Sequence, residues 1–312
     1  MKGNIMAMPF EKLHYFSKLE MADYLVPTNL AQALDMLVTH DGKARVIAGG
    51  TDVIPELRGR KLSATALVDV SRLPDMHAIE ADGNDIVIGG GVTHAQAAAS
   101  PLIKEKAGLL AIGCGWVGSP QIRNVATLAG NLVSGQPAAD ASVPLLALDA
   151  EVTIVSPQGR RVVPLSGFFQ GVGKTVLDSS REILTSIRFK ALEENQGSSY
   201  LRLGKRKALT LPILVCAVVA TAGQDGRSID SAAIALGPVA PVPFRERAAE
   251  AFLAGKPATK EVLAQAAENA GIQCSPRDSL LRGSCDYRVE MVKVFVRRGL
   301  AAALAQAGCT IG

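Results

Sequence analysis

The chain has 312 residues, 48% of them hydrophobic, which suits one large domain or two to three modules and excludes a single small core. Lys and Arg exceed Asp and Glu by 33 − 29 = 4, and no basic run is interleaved with aromatics, so the footprint of a nucleic-acid-binding protein is missing. No apolar run approaches the roughly 20 residues of a membrane span.

In chain order, residues 1–20 read as an irregular extension without the apolar stretch of a signal peptide. A helix follows, capped by Asn29, with Leu30, Ala33, Leu34 and Leu37 on one face. Strands are expected at 44–48 and 66–70, the first running into Gly49-Gly50-Thr51-Asp52. A second region opens near residue 76, with a strand at 85–89 ending in Gly89-Gly90-Gly91. Thr93 should cap a helix through 96–99, and a second helix should cover 102–113. Residues 122–134, polar and glycine-containing, read as a loop before a helix at 138–148. A hairpin is expected at 151–155 and 161–164, then a strand at 184–189. The polar stretch 193–199 marks a domain boundary. Beyond it come strands at 213–222 and 231–236 and helices at 245–254, 260–270 and 287–306. The last helix places Val289, Val292, Phe295, Val296 and Leu300 on one side, with Arg288, Lys293, Arg297 and Arg298 largely elsewhere.

Two motifs are decoys. Gly113-Cys114-Gly115-Trp116-Val117-Gly118 spells GxGxxG, but a helix-like segment precedes it where a dinucleotide fingerprint needs a strand. Gly171-Val172-Gly173-Lys174-Thr175 resembles the end of a P-loop, yet Phe168 occupies the position of the required first glycine. The four histidines are scattered without metal-ligand spacing, and no GxSxG elbow occurs. The five cysteines, Cys114, Cys216, Cys274, Cys285 and Cys309, form no CxxC pair, which fits reduced thiols in a cytoplasmic protein.

Two segments carry chemistry. In Val46-Ile47-Ala48-Gly49-Gly50-Thr51-Asp52-Val53, a strand delivers the chain to adjacent glycines, whose backbone N–H groups can converge on an anion such as a diphosphate. An ordinary strand-to-helix turn has the same composition. In the second segment, Thr127, Asn131 and Asp140 lie among small residues that let a planar ligand approach the backbone.

Together the segments are more specific. AGGTDVIPELR resembles the AGGxxLxPxxK/R loop of the medium, FAD-binding subunits of molybdenum hydroxylases, a group that includes the carbon monoxide, nicotinate and xanthine dehydrogenases. IRNVATLAGNLVSGQPAADASVPLLALDAEV resembles their IRNxxTxGGNLxxxxPxxDxxPxLLALxAxV block. LTSIRF, ALGPVAPVPFRERAAEAFLAGKP and DYRVEMVKVFVRRGL continue the likeness in order, so that it runs from about residue 20 to 306.

The resemblance implies an α+β fold: a two-subdomain FAD-binding domain of the vanillyl-alcohol-oxidase (PCMH) type at 21–195, split near 75, and a C-terminal α+β domain of the CO dehydrogenase flavoprotein type at 196–308. It implies FAD contacts at Val46, Ile47, Ala48, Gly49, Gly50, Thr51, Asp52 and Val53. Further contacts are implied at Gly118, at Thr127, Leu128, Ala129, Gly130 and Asn131, and at Asp140, Leu184 and, on a looser match, Lys205. Departures from the pattern are Ala129 for a common glycine, Thr51 for a frequent glutamine or asparagine, and Thr210-Leu211-Pro212 where an acidic residue is common. The family's division of labour places molybdopterin on a large partner subunit and [2Fe–2S] clusters on a small one, in a dimer of heterotrimers. This chain, cytoplasmic and without an acid–base or metal-ligating residue of its own, would pass electrons from the clusters to an external acceptor. The alternatives are a stand-alone flavoenzyme of the same FAD fold, such as an enolpyruvyl-sugar reductase, and an FAD-free assembly subunit.

Overall fold

The structure is a computed structural model that describes residues 23–280 and 282–312. The expected extension at 1–20 lies outside the described residues.

The first layer is a small parallel sheet of β1 (Asp23–Leu25), β2 (Ala44–Ile47) and β3 (Ala66–Asp69), in the order β1-β3-β2. Its central strand β3 is buried along its length, as a parallel strand covered on both faces must be. Helix α1 (Leu30–Thr39) packs Ala33 and Leu37 onto this sheet, and the Asn29 side chain accepts from the Gln32 N–H to cap it. Helix α2 (Val53–Arg58) follows the glycine turn after β2.

The second layer is an antiparallel sheet in the order β4-β5-β10-β6-β7, formed by Ile79–Asp82, Asp85–Gly89, Ile183–Lys190, Glu151–Ser156 and Gly159–Pro164. Between β5 and β6 the chain inserts six short helices: α3 (His94–Ala99), α4 (Pro101–Lys106), α5 (Gly108–Trp116), α6 (Pro120–Val125), α7 (Leu128–Val133) and α8 (Ser142–Ala147). A small hairpin, β8 (Phe169–Gly171) and β9 (Lys174–Thr175), precedes β10.

The third layer is the sheet β11 (Gln196–Leu203), β12 (Leu214–Ala222), β13 (Ser228–Gly237) and β14 (Phe244–Arg245), with β15 (Lys256–Pro257) on β13. Helices α9 (Arg247–Leu253), α10 (Lys260–Ile272) and α11 (Cys285–Gln306) cover one face. Strand β12 reads as a continuous apolar run because both its faces are buried. Leu214, Cys216, Val218 and Ala220 meet α11 and its neighbours, while Val215, Ala217 and Val219 join the core of the second layer.

Several expectations are corrected. Residues 122–134 are mostly helical: Ser119 caps α6 and Thr127 caps α7, each hydroxyl accepting from the N–H three residues on. The helix expected at 102–113 breaks at Ala107, and the one expected at 138–148 begins only at Ser142. The polar stretch at 193–199 enters β11 at Gln196. Arg288 does not face water; it is buried, donating to the carbonyls of Ile213, Pro238 and Arg277.

Helix α11 lies close on β11. A Cβ at Gly197 would come within 2.0 Å of the Ala303 carbonyl oxygen, and the Ser199 hydroxyl donates to the Gly299 carbonyl (2.9 Å). Gly197→Ala is therefore expected to destabilise the fold by about 1–3 kcal/mol, because backbone must shift to admit the methyl. Thermal unfolding of the purified variant checks this; an unchanged midpoint would contradict the packing.

Candidate functional site

A cleft of about 470 Å³ opens between the first layer and the helical insert. That size is within the roughly 300–1,000 Å³ range of small-molecule and cofactor sites. One wall is the turn after β2. Gly50 adopts φ +68°, a left-handed conformation that glycine takes without strain. Gly49 is required for a different reason: a Cβ there would sit 2.1 Å from the Val125 carbonyl oxygen. The glycine pair thus serves both the turn and the docking of the first layer against the end of α6.

The opposite wall is the backbone from Ala126 to Asn131, tied to the start of α3. The His94 N–H donates to the Ala126 carbonyl (3.0 Å), the Leu128 N–H to the Val92 carbonyl (3.0 Å), and Thr93 bridges Thr127. The Thr127 hydroxyl is taken up by the Gly130 N–H at 3.0 Å. Leu184 and Gly90 contribute to the lining, and a Cβ at Gly90 would meet the Leu184 carbonyl oxygen at 2.3 Å. The β8–β9 hairpin reaches the cleft through Gly173, whose N–H donates to the Gly135 carbonyl.

Of the residues expected at the cofactor, Val46, Ala48, Gly49, Gly50, Thr51, Asp52, Val53, Gly118, Thr127, Ala129, Gly130, Asn131 and Leu184 line this cleft. Ile47 and Leu128 do not; their side chains belong to the apolar cores behind the walls. Asp140 is also elsewhere. Its carboxylate accepts from Arg202 Nε (2.7 Å) and Nη2 (3.3 Å) and from the Tyr200 hydroxyl (2.9 Å), closing the seam between α8 and β11. Lys205 is exposed on the loop after β11, outside the lining. The GxGxxG motif lies at the end of helix α5, where Gly113 is required because a Cβ would meet the Asp140 carbonyl oxygen at 2.8 Å.

Sequence reasoning missed His94, which lines the cleft. Its position after the Thr93 cap was legible, but nothing in a lone histidine on a short helix signals a ligand. Among the described residues, neither His94 ring nitrogen nor Asn131 Oδ1 has a hydrogen-bond partner, although all three atoms are buried. Burial, and then the Arg123 cation, hold the imidazole down at about 4, so it is neutral at neutral pH. Burial also pushes the Asp52 carboxyl above its usual range.

A family model described as the FAD binding domain in molybdopterin dehydrogenase matches residues 17–189, more than half of the chain. The chain belongs to the FAD-binding subunits of the molybdenum hydroxylases. A second model, the CO dehydrogenase flavoprotein C-terminal domain, matches residues 199–303. The carbon monoxide dehydrogenase medium chain of Hydrogenophaga pseudoflava is 32% identical over 284 residues, 91% of this chain and 97% of that one. The xanthine dehydrogenase FAD-binding subunit of Escherichia coli O157:H7 is 30% identical over 93% of this chain and 98% of its own. Among solved structures, carbon monoxide dehydrogenase from Hydrogenophaga pseudoflava superposes with a TM-score of 0.86 at 33% identity, covering 93% of this chain and 99% of that one. The mixed helix-and-sheet fold is that of this family, and its cofactor is FAD.

The residues present fit that cofactor. The glycine turn lines the cleft, and among the described residues the buried Asn131 Oδ1 and His94 nitrogens are polar atoms that native interiors rarely leave unpaired. Asn131→Ala should weaken FAD binding by about 1–3 kcal/mol, while the melting midpoint of the FAD-free chain holds or rises, because a desolvated carbonyl is removed. Fluorescence titration beside calorimetry reads both quantities; a loss of stability with unchanged affinity would be the opposite result. Asp140→Ala should do the reverse. Leaving the Arg202 guanidinium buried and unpaired costs about 3–5 kcal/mol of stability. Denaturant unfolding of the FAD-free chain tests this, and a selective loss of FAD affinity would instead place Asp140 at the cofactor.

Proposed function

We propose that this chain is the electron-transfer subunit of a molybdenum-containing hydroxylase or dehydrogenase complex. It would take electrons from iron–sulfur clusters of a small partner subunit and pass them to an external acceptor, while substrate is oxidised on a large molybdopterin subunit. The observation that carries this reading is the cleft itself, lined by the glycine turn and the Thr127–Asn131 segment, on a chain matched nearly end to end by flavin subunits of such complexes.

Bound FAD would supply the redox chemistry, accepting and releasing electrons singly or in pairs. The chain's own residues would bind and orient it. The backbone around Gly50 would face the diphosphate, the Thr127-capped turn would hold Gly130 and Asn131 in place, and Leu184 would supply an apolar surface. None of the lining side chains is assigned a proton-transfer role. Among the described residues, no group of three or more His, Cys, Asp or Glu side chains is arranged to hold a metal ion. Placing the clusters and the molybdenum on partner chains rests on the likeness to flavin subunits of such complexes, and a dimer of heterotrimers is the assembly proposed. Among the described residues, no helix is long and apolar enough to cross a membrane; a cytoplasmic complex is the setting proposed. The match of residues 199–303 to the flavoprotein C-terminal domain favours a subunit over a stand-alone flavoenzyme.

The test is the visible spectrum of the purified chain, alone and with its co-expressed partners. A flavin spectrum that the organic substrate bleaches only when both partners are present is the expected result. An FAD-loaded chain that oxidised a purine or an aldehyde unaided would overturn the division of labour, and a chain that never took up FAD would overturn the assignment altogether.

A further inference from the structure

Glu246 stands at the N-terminus of α9, far from the cleft lining, and is fully buried. Among the described residues, neither of its carboxyl oxygens has a hydrogen-bond partner. Glu250, one turn further along the same helix, is buried too but is surrounded by donors. The Ile234 N–H reaches it at 2.8 Å, Arg245 Nε at 2.6 Å and Arg247 Nη1 at 3.2 Å. Two buried carboxyl groups therefore share one helical turn, and both arginines of that turn go to Glu250.

The elements packed around Glu246 offer a negative charge no counterion. From α9 it faces Glu250, a like charge at i+4. The Ala248 and Ala249 N–H groups favour the ionised form, yet neither closes a cap hydrogen bond. From the end of α10 it faces the Cys274 thiol, which donates to the Ala270 carbonyl and is itself pushed up to about 12, first by burial. Arg245 on β14 is committed to Glu250, Asp149 and the Leu146 carbonyl. Arg288 on α11, beside Cys274, is committed to the carbonyls of Ile213, Pro238 and Arg277. From β13 comes only the Ile234 carbonyl, which accepts the Glu246 N–H. An unpaired carboxylate in an apolar interior is far costlier than the neutral acid.

We infer that the folded chain carries Glu246 as a neutral acid, and that loss of this proton loosens the C-terminal layer at α9. Burial, reinforced by Glu250 and opposed by the Ala248 and Ala249 N–H groups, holds the carboxyl up at about 7 against an ordinary 4.5. Between those values the folded chain binds one proton more than the unfolded chain. Stability therefore falls as pH rises, and the loss is complete once pH passes the folded value. The loosening is expected in α9, whose Glu250 holds Arg245, and not in α1 of the first layer.

The experiment compares the full wild-type chain with Glu246→Gln, whose carboxamide copies the neutral acid, at about pH 5.5 and about pH 8.5. The wild-type unfolding midpoint should drop by at least about 2 °C more than that of Glu246→Gln between the two conditions. With ¹³C-labelled glutamate, the infrared difference between wild type and variant at the lower pH should contain a label-shifted band of a protonated carboxyl. Hydrogen exchange in wild type, corrected for the intrinsic rate, should quicken at the higher pH in α9 more than in α1. That last measurement stands even if Glu246→Gln fails to fold. Parallel midpoints, an infrared difference without the protonated band, or exchange that quickens equally in the two helices would each overturn the inference.

Discussion

The cleft depends on one close approach, that of the Gly49 backbone to the carbonyl of Val125. A side chain at position 49 would place its Cβ 2.1 Å from that oxygen and lift the first layer away from the helical insert. The same short stretch receives the start of α3 through Ala126 and the Thr93–Thr127 bridge. Three loops from distant parts of the sequence therefore meet around residues 125–128. The backbone that assembles the lobes also forms the wall of the site, so binding and folding draw on the same few contacts.

Around that junction the polar side chains divide into two kinds. Thr127 is occupied, its hydroxyl fixed by the Gly130 N–H, and Asp140 is occupied by Arg202 and Tyr200. Among the described residues, Asn131 Oδ1 and the His94 nitrogens are buried without a hydrogen-bond partner. A buried polar atom that is already paired steadies the protein, whereas one that is unpaired costs stability until a partner arrives. The paired groups form the frame that holds the cleft's walls in register. Arg202 extends this frame, lying 4.9 Å from the centre of the Trp116 ring, two residues from Gly118 of the lining.

Much of this was legible in the sequence. The Asn29 and Thr93 caps, the hairpin at 151–164 and the double glycine after β2 are local signals, and the structure follows them. The helices α6 and α7 were not read, because their caps lie in a segment whose glycine and polar residues suggested a loop. The site was legible where backbone geometry demanded special residues, as at Gly49 and Gly50. It was not legible where the role depends on what surrounds a residue. The pairing of Asp140 with Arg202, sixty-two positions away, has no local signal. His94 looks incidental until it is found buried, with neither ring nitrogen partnered among the described residues. Arg288, placed by helical periodicity outside the apolar face, is drawn inward because carbonyls at Ile213 and Pro238 need a donor.

Strand β12 carries a consequence for the molecule as a whole. Its even-numbered residues complete one core and its odd-numbered residues complete another, so the sheet that follows residue 196 is also the lid of the layer before it. Arg245 reinforces the join, reaching from β14 to Asp149 and the Leu146 carbonyl. The two stretches matched by separate family models are thus not autonomous modules in the physical sense. Severing the chain between them would bare an apolar sheet face on one fragment and an uncovered core on the other, inviting aggregation of both. Evolutionary shuffling of either piece onto a new neighbour would require the recipient to supply the same interdigitating surface, which ties the inheritance of the flavin cleft to that of the sheet beside it.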